Sequence, residues 1–180
     1  RVRYHVPKGG TNAGIFNEAA LSQDKPVFIT EGAINAASIV EVGGQALAIN
    51  STSNAGAFLD RLKKRGSTCK RFVVCMDDDE AGAAASATLV KGLKGMGYEV
   101  TEYHHTEGYN DTNDALRGNR AAFAAAVEEA TKSFDKAALA EIQSHKVGSM
   151  IDAFWSYVQD DKNNKPIPTG FGGFDKAIGG

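Results

Sequence analysis

The sequence is poor in the residues that build disulfide frameworks and zinc sites. Of its 180 residues only two are cysteines, Cys69 and Cys75, and their spacing is not that of a metal-ligand pair. The four histidines form no cluster with them. Two cysteines without metal-ligand spacing are typical of a reduced protein, so we expect a cytoplasmic location.

Long apolar runs and an excess of basic charge are also missing. No stretch approaches the length of a membrane-spanning helix, and no signal peptide is recognisable, so we expect no membrane partner. The formal charge is -2, from 20 basic and 22 acidic residues. This is not the electrostatic footprint of a piece that binds nucleic acid tightly by itself. Because the chain starts at Arg1 and stops at Gly180, we expect a fragment of a longer protein.

What the sequence does contain is an alternation of strand and helix patterns. Apolar, β-rich runs occupy 26–30, 45–50, 71–76 and 98–105, and helical spacing occupies 33–44, 51–66 and 80–97. Such alternation predicts βαβ units and an α/β fold, with a mainly parallel four-stranded sheet flanked by helices. Right-handed crossovers bring the carboxyl ends of the strands to one edge, where ligands bind in such sheets.

Acidic residues follow several of these strands. Glu31 ends the first, Asp77 and Asp79 end the third in "RFVVCMDDDEAG", and Asp111 lies in the loop after the fourth. In extended chain, residues i and i+2 share a face, so Asp77 and Asp79 could point together. Mg²⁺ prefers carboxylate ligands, and two such ions can clamp both oxygens of a phosphoryl transfer. Unpaired acids would repel one another, so we predict that a cation neutralises this edge.

A simpler interpretation of "DDDEAG" stays open. Asp79 could cap the following helix, with Asp78 and Glu80 as favourable charges at its amino end. Gly82 would then let the helix backbone pack closely. Asp114 and His104 are further candidates near the same edge.

The order of these motifs resembles a known family. "VFITEGAINAASI" followed by "VVCMDDDEAG" resembles the Toprim domain of DNA primases, type IA and type II topoisomerases and some nucleases, over 26–116. "EGAINAASI", "NDTNDAL" and "YHVPKGG" are most similar to bacterial and phage-type primases. The resemblance implies two Mg²⁺ or Mn²⁺ ions held by Asp77, Asp79 and Asp111. It also implies that Glu31 is a ligand or a general acid/base, with Glu31, Asp77 and Asp79 as the catalytic residues.

Two positions depart from the pattern of these primases. Asn35 stands where an aspartate is frequent, which puts a secondary acidic contact in doubt. Asn110 stands where a lysine is frequent, which removes a potential phosphate contact.

The carboxyl-terminal stretch "IPTGFGGFDKAIGG" resembles the opening of a RecA-like ring-helicase domain. This implies a primase–helicase of phage or mobile-element type, with ATP bound in the helicase part and a possible ring oligomer. The domain plan would be the end of a preceding primase subdomain at 1–25, the Toprim domain at 26–118, a helical extension and linker helix at 119–160, and a linker with a truncated helicase start at 161–180. The apolar stripe from Leu139 to Tyr157 would pack on a neighbouring subunit or on its own domain.

The resemblance therefore implies the catalytic core of a DNA primase. Such a core uses ribonucleoside triphosphates to add ribonucleotides to a primer on a single-stranded DNA template, and the isolated fragment should be weak or inactive. The alternatives are a Toprim nuclease or topoisomerase fragment, and a non-catalytic Toprim module attached to a replicative helicase. The basic run at 61–66 could touch template, but we favour a solvated helix face.

Overall fold

The computed structural model describes residues 14–104 and 108–144 and, further on, residues 152, 154–157 and 159. The chain divides after Phe134 into two compact units. The first unit contains the sheet and the described acids at its edge. Residues 1–13 of the preceding subdomain predicted at 1–25 lie outside the described residues, as do the predicted helicase start at 161–180 and much of the predicted linker helix.

Four parallel strands form one sheet. They are β1 (Val27–Thr30), β2 (Ala46–Ala48), β3 (Arg71–Cys75) and β4 (Glu99–Glu102), in the order β2-β1-β3-β4. Every neighbouring pair is parallel, and Thr30 is paired with Cys75 in the register of the central pair. The predicted α/β fold with a parallel four-stranded sheet is confirmed. The carboxyl ends of β1 and β3 are therefore direct neighbours.

Helices flank the sheet. They are α1 (Ala33–Glu41), α2 (Ala55–Arg65), α3 (Glu80–Gly95), α4 (Thr112–Gly118) and α5 (Arg120–Ser144), with short 3₁₀ helices at Glu18–Ser22 and Thr52–Asn54. Within α5, Ser133 Oγ donates to the helix carbonyl of Ala130, and Phe134 is buried. Within the described part of the chain, we find no helix of sufficient length and apolarity to traverse a bilayer.

Two apolar cores lie on opposite faces of the sheet. Along β1, Val27 and Ile29 face one core and Phe28 faces the other, and β3 divides Phe72 from Val73 in the same way. Burying each such side chain contributes about 1.5–3 kcal/mol. With both faces covered, the inner residues of the central strands are apolar, and their polar residues, Arg71 and Thr30, lie at strand ends.

A charged clamp joins the first 3₁₀ helix to α2. Glu18 accepts hydrogen bonds from Arg61 Nε at 2.8 Å and from Arg61 Nη2 at 2.5 Å, and Arg65 Nη1 lies 2.9 Å from Glu18 Oε1. The hydrogen bond from Arg61 is the main cause that lowers the pKa of Glu18 below its ordinary value of 4.5. Two of the four basic residues in the run at 61–66, Arg61 and Arg65, are thus paired with Glu18 within the chain.

We expect Glu18→Gln to destabilise the chain modestly. Both arginines are largely exposed, so the loss at neutral pH should be at most about 1 kcal/mol. Because folding lowers the pKa of Glu18, its contribution is present above pH 4.5 and disappears as the pH falls through the folded pKa. Thermal unfolding should therefore separate wild type from Glu18→Gln at neutral pH but not in acid. Asp60→Asn on α2 is the control, and a difference that persists in acid would contradict the account.

Candidate active site

The end of β1 carries the first predicted acid. Glu31 follows Thr30 directly and is half-buried. The hydroxyl of Thr30, which is fully buried, lies 3.1 Å from the Gly32 carbonyl oxygen and 3.2 Å from that of Leu47. This hydroxyl ties the turn that carries Glu31 to the neighbouring strand.

The end of β3 carries the second acid. Asp77 is half-buried, and its Oδ1 accepts a hydrogen bond of 2.8 Å from Asn35 Nδ2 on α1. The expectation that the acids of this edge are unpaired is therefore wrong for Asp77. The reason is tertiary, because the docking of α1 places a neutral amide donor against the carboxylate.

Asp79 is the N-cap of α3. Its backbone is extended, and its Oδ1 accepts the Gly82 N–H at 2.8 Å. The interpretation of Asp79 as a cap is thus confirmed. A side chain at position 82 is excluded, because a Cβ there would lie 2.0 Å from the Asp77 carbonyl oxygen. The glycine lets α3 begin directly against the chain that leaves β3.

Asp111 starts the third segment of the edge. It is half-buried and caps α4, since its Oδ1 accepts the Asp114 N–H at 2.8 Å. The next residue, Thr112, is buried and donates to the Asn35 carbonyl oxygen at 2.9 Å. The loop also meets the end of β3, where the Asp78 N–H donates to the Asn110 carbonyl at 3.2 Å.

The pKa of a buried neighbour, Cys75, reflects the charges of two of these acids. Burial raises the pKa of the Cys75 thiol far above its usual range, and the charges of Asp77 and Asp111 raise it further. Burial, with a smaller contribution from Cys75, also raises the pKa of Tyr103 to about 12. The thiol and the phenol therefore stay protonated, and the negative potential of this edge comes from the carboxylates.

An open groove of about 350 Å³ lies beside the acids. One end is formed by 77–79, and the sides are formed by α3 and the end of β4, where Ser86 Oγ donates to Glu102 Oε1 at 2.7 Å. The groove also contains Lys91 and the exposed His104. Its volume falls in the range of small-molecule sites.

The carboxylates suit a hard divalent cation by their chemistry, but the ligand set is not assembled. In 14–104 and 108–136, where side chains are described, no group of three or more His, Cys, Asp or Glu side chains lies close enough together to hold a metal ion. Asp79 and Asp111 each use only Oδ1 in their caps. Their second oxygens could therefore bind a cation without loss of the cap. The predicted metal set of Glu31, Asp77, Asp79 and Asp111 stays a prediction.

A parallel sheet that brings acids to the carboxyl ends of β1 and β3 defines an α/β domain with an acidic edge, which is the edge where ligands bind in sheets of this kind. A family model described as Toprim-like matches residues 28–116. Over these residues the chain forms a Toprim-like domain, as the resemblance over 26–116 predicted. A comparison with curated proteins gives no match.

Solved structures share this fold. One is the crystal structure of the primase fragment of the bacteriophage T7 primase-helicase protein, with a TM-score of 0.51 and 18% identity over 60% of this chain and 46% of that chain. Another shows the bacteriophage T7 lagging-strand DNA polymerase interacting with primase domains of two gp4 subunits bound to an RNA/DNA hybrid and dTTP. Its TM-score is 0.55, with 16% identity over 67% of this chain and 60% of that chain. The chain thus spans about half to three fifths of the matched chains.

Two residues of the site have roles that the sequence did not reveal. The sequence marks Asn35 only as a departure from the primase pattern, and it gives no signal for Thr112. Their contacts join residues 42 and 77 positions apart. Such contacts depend on how α1 and α4 dock, and no local pattern encodes them.

Proposed function

We propose that this chain is the Toprim catalytic core of a DNA primase, within a primase–helicase of phage or mobile-element type. Its parent would join ribonucleotides from ribonucleoside triphosphates on a single-stranded DNA template, with release of pyrophosphate. The observation that supports this proposal best is the meeting of Glu31, Asp77 and Asp111 segments at one edge of a Toprim-like domain. The domain plan with a RecA-like helicase part after 161 belongs to the same proposal.

The proposed roles follow from how each acid is held. Asp77, Asp79 and Asp111 would hold Mg²⁺ or Mn²⁺, and Glu31 would serve as a ligand or as a general acid/base. When bound, the cations would neutralise charge on the triphosphate and on the leaving group. The chain itself fixes the acids beforehand, because Asn35 holds one carboxylate and the starts of two helices hold two others.

The groove beside 77–79 is the proposed location of the nucleotide. It adjoins two of the proposed ligands and contains Lys91, a cation that could face a phosphate. A T7 structure with a similar fold includes dTTP and an RNA/DNA hybrid. Both facts favour a nucleoside triphosphate and nucleic acid as partners.

Nucleotide binding by the 180-residue chain tests this proposal. With Mg²⁺, ATP should shift amide resonances at the ends of β1 and β3, at the start of α4 and along the groove wall of α3. With a chelator, those shifts should be lost, because the acids alone repel a triphosphate. Shifts that are the same in chelator, or that fall only outside this edge, would refute the proposal.

A second candidate is a non-catalytic Toprim module attached to a replicative helicase. It is favoured by the absence of a three-residue ligand cluster among the described side chains and by the pairing of Asp77 with a neutral amide. This candidate predicts a stably folded chain in which neither Mg²⁺ nor ATP shifts any resonance of the edge.

A further inference from the structure

Asn35 contacts each chain segment that meets at the acidic edge. Its side-chain Nδ2 donates to Asp77 Oδ1 at 2.8 Å, and its backbone carbonyl oxygen accepts from Thr112 Oγ1 at 2.9 Å. A Cβ on Gly32 would lie 4.0 Å from the same Nδ2, so the amide also borders the turn after β1. Asn35 is 9% exposed and Thr112 is 1% exposed, so water competes little with these contacts.

The side chain at position 35 determines whether the edge can fold without a bound cation. An ionised carboxylate only accepts hydrogen bonds, so Asn35 must present its nitrogen to Asp77. An aspartate at position 35, as is frequent in the primases that this sequence resembles, would place two carboxylates at that distance. Two such groups cannot both stay ionised comfortably unless a cation lies between them or nearby.

We propose that Asn35 is the positioning residue of this edge, and that its neutral amide allows the acidic side chains to adopt their folded positions without a bound cation. The part of this inference that concerns the cation rests on the proposed function, whereas the contact itself does not. Any cation that binds only the folded chain stabilises it, so Mg²⁺ should raise the stability of the wild-type chain less than that of a chain with a carboxylate at position 35. A chain with a carboxylate at position 35 should depend on Mg²⁺.

The first test follows thermal unfolding of the 180-residue chain in chelator and in saturating Mg²⁺. Asn35→Asp should lower the Tm in chelator by roughly 5 °C or more, because a buried pair of acids replaces a hydrogen bond. Mg²⁺ should restore most of that loss. Asn110→Asp makes the same charge change at an exposed position of the edge, and should shift the Tm by less than about 2 °C in either condition.

The second test exchanges the two partners. Asn35→Asp combined with Asp77→Asn places the amide and the carboxylate on opposite residues, and the hydrogen bond can form again. The Tm of this double variant in chelator should return towards that of wild type. A purely structural cost of altering a buried residue would instead give losses that add.

The outcomes separate this inference from the proposed function. Equal losses for Asn35→Asp and Asn110→Asp, or additive losses in the exchange, would overturn the positioning role. If Mg²⁺ binds the wild-type chain but does not restore the Tm of Asn35→Asp, the inference that the neutral amide makes a cation unnecessary for folding is wrong. If Mg²⁺ binds neither chain while the exchange restores the Tm, the proposed function fails and the positioning role of Asn35 stands.

Discussion

Gly82→Ala should lower the free energy of unfolding by roughly 3 kcal/mol or more, a large effect for one added methyl group. The new Cβ would lie 2.0 Å from the Asp77 carbonyl oxygen and 3.0 Å from its carbonyl carbon. Both are backbone atoms, so no side chain can rotate away to relieve the overlap. The overlap can be relieved only if α3 moves away from the end of β3. That movement would break the hydrogen bond from the Gly82 N–H to Asp79 and displace both Asp77 and Asp79.

A matched variant distinguishes this overlap from a general response of α3 to alanine. Gly95 ends the same helix, and a Cβ there would meet no atom within 4 Å. Gly95→Ala should therefore leave stability unchanged or raise it by about 0.5–1 kcal/mol, because alanine favours the helix. Urea unfolding measures both variants. Similar stability for Gly82→Ala and Gly95→Ala would mean that the close approach of α3 to Asp77 is not a constraint.

Asp77→Asn should weaken Mn²⁺ binding by roughly a hundredfold, which corresponds to about 2.8 kcal/mol. The substitution removes a charge and keeps the shape of the side chain. The carbonyl oxygen of the new amide can still accept from Asn35, so the fold should survive. The loss would therefore report on the ligand and not on unfolding. Calorimetric titration of the 180-residue chain with Mn²⁺ provides the affinity.

Asp78→Asn is the control for charge. It removes the same charge one residue away, from an exposed side chain. Screening by water and salt should limit its effect on Mn²⁺ affinity to less than about fivefold. Equal losses in Asp77→Asn and Asp78→Asn would show that the edge attracts cations only through its net charge, without a defined ligand.

The sheet could be predicted from the sequence because its signals are local. The first three strands are short, mainly apolar runs, and the glycine of "DDDEAG" indicates a close approach that the geometry of Gly82 confirms.

The charge balance of the site could not be predicted in the same way. The acids were visible as strand-end residues, and their repulsion suggested a cation. In the structure Asp77 accepts a hydrogen bond from the amide of Asn35, 42 positions away, which stabilises the carboxylate without removing its charge. The caps at Asp79 and Asp111 give those carboxylates local partners as well. A sequence shows charges, whereas the hydrogen bonds that compensate them depend on packing.

We propose that the carboxyl edge of this Toprim-like domain binds a catalytic divalent cation, and paramagnetic broadening by Mn²⁺ is the most direct test. In NMR spectra of the wild-type chain, substoichiometric Mn²⁺ should selectively broaden the amides of Glu31, Asp77, Asp79 and Asp111. Amides at the opposite edge, such as Lys70 and Tyr98, should stay sharp. Sharp resonances at all four acids, or broadening confined to other acidic surfaces such as Glu128, would contradict the claim.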